Sequence, residues 1–263
     1  MKKGLIIYQK EDIKKNQWFI DQFLKEMNDA ALSLKCLSEE EVFDYLNNHH
    51  IDYVIYRGRN YLFSEQLERR GIRVFNNSQV NKTANNKLLS YDFAKENDIK
   101  SVETYLDPSL IKDRPFIMKS VSGHGGQEVF LINDLKEIAI IKEKYPSLSF
   151  IYQDYLKNDG DLRLYILNHQ FIGGVLRFNK DDYRNNYSLG ASAKLFNPPK
   201  EVVDIAIKIS HLLEADYIGV DFLKINEQYF FLEIEDPVGA RMLYQLSDID
   251  IIKQYAAYIK SHF

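Results

Sequence analysis

The stretch that most constrains the fold lies near the carboxyl end, where Gly219-Val220-Asp221-Phe222-Leu223-Lys224-Ile225 is followed by Tyr229-Phe230-Phe231-Leu232-Glu233-Ile234-Glu235. Two β-rich runs around the polar turn Asn226-Glu227-Gln228 read as an antiparallel hairpin. With the loop centred on Glu227, Ile225 faces Tyr229, Leu223 faces Phe231 and Asp221 lies opposite Glu233. Side chains alternate along a strand, so Glu235 emerges on the face that carries Glu233. Three carboxylates then meet on one patch of an otherwise apolar sheet. Bare carboxylates in such a place repel one another and lose hydration. A hard dication would neutralise them, and an all-oxygen set with no Cys or His nearby favours Mg²⁺ or Mn²⁺ over Zn²⁺. The alternative is that one acid is solvated at a strand end while the others meet Lys or Arg.

A chain of 263 residues, 45% apolar and 27% charged, has the composition of a folded protein with room for two or three modest domains. Its formal net charge of −4 and the lack of any Lys/Arg run leave no electrostatic footprint for nucleic acid. The single cysteine, Cys36, cannot form an internal disulfide and fits a reducing, cytoplasmic setting. The first apolar run, Leu5–Tyr8, is too short for a signal peptide or a membrane span, so no membrane partner is expected.

Short apolar runs alternate with amphipathic segments over the first eighty residues. Leu5–Tyr8, Tyr53–Tyr56 and Arg73–Phe75 read as strands. Ile13, Phe19, Ile20, Phe23, Leu24 and Met27 recur at helical spacing, and Val42, Tyr45 and Leu46 mark a second helix. This alternation predicts a small, mainly parallel sheet with helices on its faces. Ligands sit at the carboxyl ends of such strands, where Asn76-Asn77-Ser78 marks a turn and the pair Arg57 and Arg59 are candidate substrate contacts. Solvated surface arginines are the other reading of that pair. A polar helix over about 83–97, with Leu88, Leu89 and Phe93 inward, links to a different pattern. There Pro115–Lys119 and Glu128–Ile132 read as strands around a glycine-rich loop, and Asn133 caps a helix carrying Leu135, Ile138 and Ile141. A strand follows at Ser149–Gln153. Leu162–Leu167 and Phe171–Phe178 form a hairpin, 183–195 reads as a polar loop, Pro198-Pro199 opens a helix, and a last helix spans about 249–261.

Ser122-Gly123-His124-Gly125-Gly126 lacks both the Gly-Lys-Ser/Thr of a Walker loop and the following helix of a dinucleotide fingerprint. A glycine hairpin remains, whose N–H groups could close over phosphates, with Lys119 at its base as a point charge. Asp161-Leu162-Arg163 sets an acid and a base on one strand face, and Arg177 and Arg184-Asn185-Asn186 follow. Their planar forks suit phosphoryl or carboxylate groups, although surface ion pairs fit the same residues. His124 is a loop contact or a polar turn residue. No Ser/His/Asp arrangement or nucleophile elbow is present.

Taken in order, these segments resemble the ATP-grasp family, specifically its RimK-type branch of glutamate-adding ligases. The likeness is most specific from Asn76 to Gly239. It implies an ATP-grasp fold of α/β class, α+β in its carboxyl-terminal half, with a Rossmann-like or flavodoxin-like domain over 1–82 preceding the ATP-grasp domain of 83–263. A lid of about 100–154 and a catalytic part of about 155–263 follow from the same likeness. Lys87 and Lys119 then match the two ATP lysines, and Gly123, His124, Gly125 and Gly126 the lid. Gln153, Asp154 and Tyr155 fall on the adenine-reading hinge, and Asp161 on the ribose contact. Arg184 and Asn186 match the phosphate motif, with Gly190-Ala191 on the glycine pair after it. Asp221, Glu233 and Glu235 take the places of the metal ligands. Lys119 and Arg184 carry the catalytic expectation. The cofactors implied are ATP and Mg²⁺ or Mn²⁺, and the partners are small-molecule or peptide carboxylates and amines, with a homo-oligomer left open.

Glu235 stands where the family has Asn, adding a charge that could couple to a cation such as Arg241. Asp236-Pro237-Val238-Gly239 replaces the usual Ser-Pro-Gly, so the familiar acceptor is not carried over, and Arg57 and Arg241 are the residues expected to meet substrate. The reaction implied is phosphorylation of a carboxylate and attack by an amine, giving an amide, ADP and phosphate. An ATP-binding module without ligase activity and a phosphotransferase with the same clamp are the alternatives.

Overall fold

Residues 1–112, 114–179 and 192–263 are described in the computed structural model and build three sheets. The first holds β1 (Lys3–Tyr8), β2 (Ser33–Ser38), β3 (Tyr53–Tyr56) and β4 (Arg73–Phe75) in the order β2-β1-β3-β4, all parallel. Central β3 is buried along its whole length, which explains its unbroken apolar run. Edge strand β2 buries only Leu37 and Ser38 and carries Ser and Lys elsewhere, so its sequence gives no strand signal. Helices Glu39–Leu46 and Tyr61–Arg69 cover one face. Helix Gln17–Asp29 and the last helix, Ile251–Lys260, cover the other, with the Phe23 and Tyr255 rings 5.7 Å apart. The far end of the chain thus completes the first core.

The linker is two helices, Ser78–Ala84 and Lys87–Glu96, where one was expected. Each begins at its own asparagine cap: Asn77 Oδ1 accepts from Val80 N–H at 2.9 Å and Asn86 Oδ1 from Leu89 N–H at 3.1 Å. The second helix buries Ser90, Tyr91 and Ala94, with Leu88 and Phe93 only partly covered.

The second sheet comprises β5 (Thr104–Tyr105), β6 (Phe116–Ser120), β7 (Val129–Ile132) and β8 (Phe150–Asp154), ordered β5-β8-β6-β7 and antiparallel. Its own small core includes Phe116, Met118, Ile132, Phe150 and Tyr152. Asp134, rather than Asn133, caps the helix Leu135–Lys144, in a capping box with Glu137.

The third and longest-stranded sheet is β9 (Gly160–Leu167), β10 (Gln170–Phe178), β11 (Ser192–Leu195), β12 (Tyr217–Ile225) and β13 (Gln228–Glu235), ordered β11-β10-β9-β12-β13. Ser192–Leu195, expected in a polar loop, is an edge strand paired with β10. The loop's remaining residues, with Arg184, Asn186, Gly190 and Ala191, lie outside the described residues.

The β12–β13 register corrects the expected one in two places. Ile225 pairs with Gln228, so the turn is the two residues Asn226 and Glu227, and Leu223 meets Phe230 instead of Phe231. A bulge then inserts Leu232 between the pairs Phe222–Phe231 and Asp221–Glu233. The short turn shifts the register and the bulge restores it. Phe231 and Ile234 consequently both enter the core below the sheet, while Leu232 and Glu233 both line the cleft above it.

Candidate active site

Alternation along the third sheet sorts apolar from polar residues. Leu162, Leu164, Ile166, Val220 and Phe222 point into the core. Asp161, Arg163 and Tyr165 of β9 share the opposite face with Tyr217, Gly219, Asp221 and Leu223 of β12. Above the Leu223 end a cleft opens between this sheet and the second one. Lys87, Ile117, Lys119, the glycine loop, the hinge Gln153–Leu156, Asp161, Leu223, Leu232 and Glu233 are among its lining residues. Apolar walls with a few converging polar groups are the usual make-up of a small-molecule site.

Asp221, Glu233 and Glu235 each place a carboxylate oxygen within 4.8 Å of the others. They are not bare. Asp221 is fully buried and accepts from Arg163 Nε at 2.8 Å, Arg163 Nη2 at 2.7 Å and Arg177 Nη2 at 2.6 Å. Arg163 Nη2 also donates to Glu235 at 2.8 Å, and Arg177 Nε donates to Asp161. The arginines expected on phosphates or at the surface are therefore buried partners of the protein's own acids. Glu235 pairs with Arg163, not with Arg241. Burial pushes the Asp221 carboxyl up, but Arg163 and Arg177 outweigh it and hold the group below the ordinary range. Burial dominates at Asp161 instead and lifts it to about 7, against the pull of Arg177.

Three of roughly four lone-pair positions on Asp221 are thus taken. The side chains of Glu233 and Glu235 are 26% and 28% exposed, and Glu233 has only a 3.4 Å approach from Lys87 Nζ among the ion pairs of the described residues. The donor set fits a hard dication, with Glu233 lining the cleft, Glu235 partly exposed beside it and Asp221 buried with them.

Lys119 is buried at the base of the glycine loop, where its Nζ donates to Tyr91 Oη at 2.8 Å, and Tyr91 Oη donates to the Leu232 carbonyl at 2.6 Å. Burial and the charge of Lys87 bring its pKa down to about 7, against Glu233. Lys87 Nζ donates to the Gly123 carbonyl and so ties the loop to the acidic floor. Gly125 and Gly126 adopt φ of 66° and 74°, a region that favours glycine, and nothing lies near the position of a Cβ at Gly125. His124 lines the cleft, and burial and Arg59 lower its pKa. Gln153 donates to Thr104 Oγ1 at 2.7 Å, which fixes the hinge beside Asp154 and Tyr155.

Asparagines of the linker hold the acidic turn. Asp236 accepts from Asn76 Nδ2 at 2.8 Å and Asn81 Nδ2 at 3.0 Å, and Asn85 Nδ2 donates to the Asp236 carbonyl at 2.9 Å. Glu235 is thereby positioned against the segment that leads to Lys87. Five asparagines between 76 and 86 were the available signal for this network. Tyr91 had none beyond its place on a helix. Two of the three arginines expected at substrate are engaged elsewhere. Arg57 is buried, donates to the Val238 carbonyl at 2.8 Å and stacks its guanidinium over Phe19 at 4.8 Å. Arg241 donates to the Lys15 carbonyl at 2.8 Å and braces its helix against the amino-terminal segment.

The model of the RimK-like ATP-grasp domain matches residues 74–259. The uncharacterized MG011 homologue of Mycoplasma pneumoniae is 28% identical over 99% of this chain and 95% of its own length. Human beta-citrylglutamate synthase B is 25% identical over 73% of this chain and 54% of its own. Among solved structures, the ATP-grasp ligase PsnB complexed with a minimal precursor superposes over 100% of both chains with a TM-score of 0.75 at 12% identity, a likeness of fold.

Proposed function

The chain belongs to the RimK-like ATP-grasp family and is a ligase of the C–N bond-forming kind, and we propose that it joins a carboxylate to an amine through an acyl phosphate made with ATP. The observation that carries this reading is the meeting of Lys87, Lys119 and Glu233 around one cleft, with an apolar floor and a glycine loop above.

Leu223 and Leu232, under the hinge, offer the apolar surface an adenine ring needs. Lys119, held by Tyr91, and Lys87 would take the charge of the phosphates, and Lys87 must release the Gly123 carbonyl to do so. A magnesium ion on Glu233 and Glu235, with the last lone pair of Asp221, would neutralise charge on the transferring phosphoryl group. Arg163 and Arg177 fix the acids in place, so little reorganisation accompanies the reaction. Closure of the glycine loop would exclude water and protect an acyl phosphate from hydrolysis. Phosphoryl transfer requires positioning and charge neutralisation more than a protein nucleophile. Arg184 and Asn186 enter as phosphate contacts on the family motif alone. Relatives named beta-citrylglutamate synthase and probable alpha-L-glutamate ligase are in keeping with small carboxylates and amino acids as substrates.

Incubation with Mg-ATP, a pool of small carboxylates and hydroxylamine tests the reading. ADP release together with an acyl hydroxamate is expected. ADP release with a stable phosphorylated product would show a phosphotransferase, and ATP binding without any turnover would show a binding module.

A further inference from the structure

The loop after β3 carries a cation that the site as described does not use. Arg59 is half-buried and has no hydrogen bond or ion pair among the described residues, while its backbone neighbours are pinned on both sides. Arg57 N–H donates to the Ile7 carbonyl at 2.8 Å, and the Gly58 carbonyl accepts from Asn81 Nδ2 at 3.0 Å. Asn60 N–H donates to Tyr56 Oη at 3.1 Å. A side chain at Gly58 would collide with Glu39 and Tyr56, so the loop is packed closely against both. A free guanidinium on a fixed backbone is a preorganised receptor.

Its position follows from one side chain. Asn81 Nδ2 donates to both the Gly58 carbonyl and the Asp236 carboxylate, each at 3.0 Å. Arg59 follows Gly58 and Glu235 precedes Asp236, so Arg59 stands beside the acid cluster, at the carboxyl end of a parallel strand where ligands gather. Its charge reaches His124 in the glycine loop as well as Asp236. Neutralising the acids is not its task. Asp221 and Glu235 have Arg163, Asp161 has Arg177, Glu233 has Lys87, and Asp236 has its asparagines.

We propose that Arg59 is the receptor for an anionic group of the substrate, a carboxylate separate from the one that reacts, bound between the β3 loop and the acid cluster. Its role as a substrate contact rests on the ligase reading, whereas anion binding there does not. An arginine presents paired N–H donors to a carboxylate in a geometry that lysine cannot reproduce. The site would accordingly select substrates with at least two acidic groups.

The test uses the full chain saturated with Mg-ADP and titrated calorimetrically with succinate, glutarate and tricarballylate, and with the monoamides succinamate and glutaramate. Wild type should bind at least one polyacid about tenfold or more tightly than its amide analogue. Arg59→Ala should lose that preference with an unchanged melting temperature and unchanged Mg-ATP affinity, and Arg59→Lys should recover only part of it. Equal polyacid binding by wild type and Arg59→Ala, or no polyacid binding by wild type, would overturn the proposal. A fall in Mg-ATP affinity in Arg59→Ala would do the same by placing the residue on the nucleotide. Failure of wild type to bind Mg-ATP would instead sink the ligase reading and leave the anion site standing.

Discussion

The two walls of the cleft are built on different principles. In the floor, on the third sheet, Asp161, Arg163, Arg177 and Asp221 are all buried and ion-paired with one another. In the lid, on the second sheet, Lys119 is buried with no carboxylate within salt-bridge distance among the described residues, and the loop above it turns through two glycines in the left-handed region. The floor has spent its electrostatic energy before any ligand arrives. The lid has not, and on the proposed function its lysine would gain most from the phosphates. A site made this way keeps a rigid template on one side and a ligand-responsive clasp on the other.

The largest effect should come from breaking the floor. Asp221→Asn leaves Arg163 and Arg177 buried against a neutral partner, and a loss of about 3–5 kcal/mol in unfolding free energy is expected. Urea denaturation measures it, and a loss below about 1 kcal/mol would mean that the floor is not prebuilt. The matching change in the lid should behave in the opposite way. Lys119→Met removes a cation that burial already disfavours, so the melting temperature should hold or rise while turnover falls by roughly a hundredfold or more. Equal destabilisation by the two variants would erase the contrast.

A smaller effect separates the walls by pH. The pKa of Lys119, about 7 in the free protein against 10.5 for an ordinary lysine, should return upward when phosphates bind. Below pH 7 the group is charged before binding and contributes no pH dependence. Above pH 7 binding must take up a proton, so nucleotide affinity should fall by up to about tenfold per pH unit until the bound-state value is reached. Calorimetry at pH 8 in buffers of different ionisation enthalpy should register proton uptake in wild type and none in Lys119→Met. At pH 8 Asp161, whose carboxyl burial lifts to about 7, is already mostly ionised and should add little to this signal.

The lid was the more legible wall, because its features are local. Glycine spacing, a lysine ending one strand and the apolar runs on either side can all be read within the short stretch from Phe116 to Ile132. The floor depends on ladders joining residues that are far apart in sequence, such as Asp221 with Arg163 and Arg177, and no local pattern specifies them. The opposition of Asp221 and Glu233 follows from the expected register, which is off by one on the turn side of Leu232 and correct beyond it. A two-residue turn and a bulge offset each other, and neither has a signal in Asn226-Glu227-Gln228 or in the unbroken apolar run Tyr229–Leu232. Edge strands β2 and β11 escaped notice for another reason, since strands half open to solvent carry the polar residues of loops. Arg57 and Arg241 were marked for substrate by position alone. Position places a backbone, and it was packing that sent both side chains to main-chain carbonyls.

The most direct test of the whole reading is a calorimetric titration of ATP into wild type and Glu233→Gln, each with and without magnesium. Glu233 is the acid least committed to other partners, so its loss should leave the fold intact and remove the magnesium-dependent part of ATP affinity. Magnesium should strengthen binding to wild type and have little effect on the variant. Equal enhancement by magnesium in both proteins would contradict a metal-assisted nucleotide site built on this hairpin.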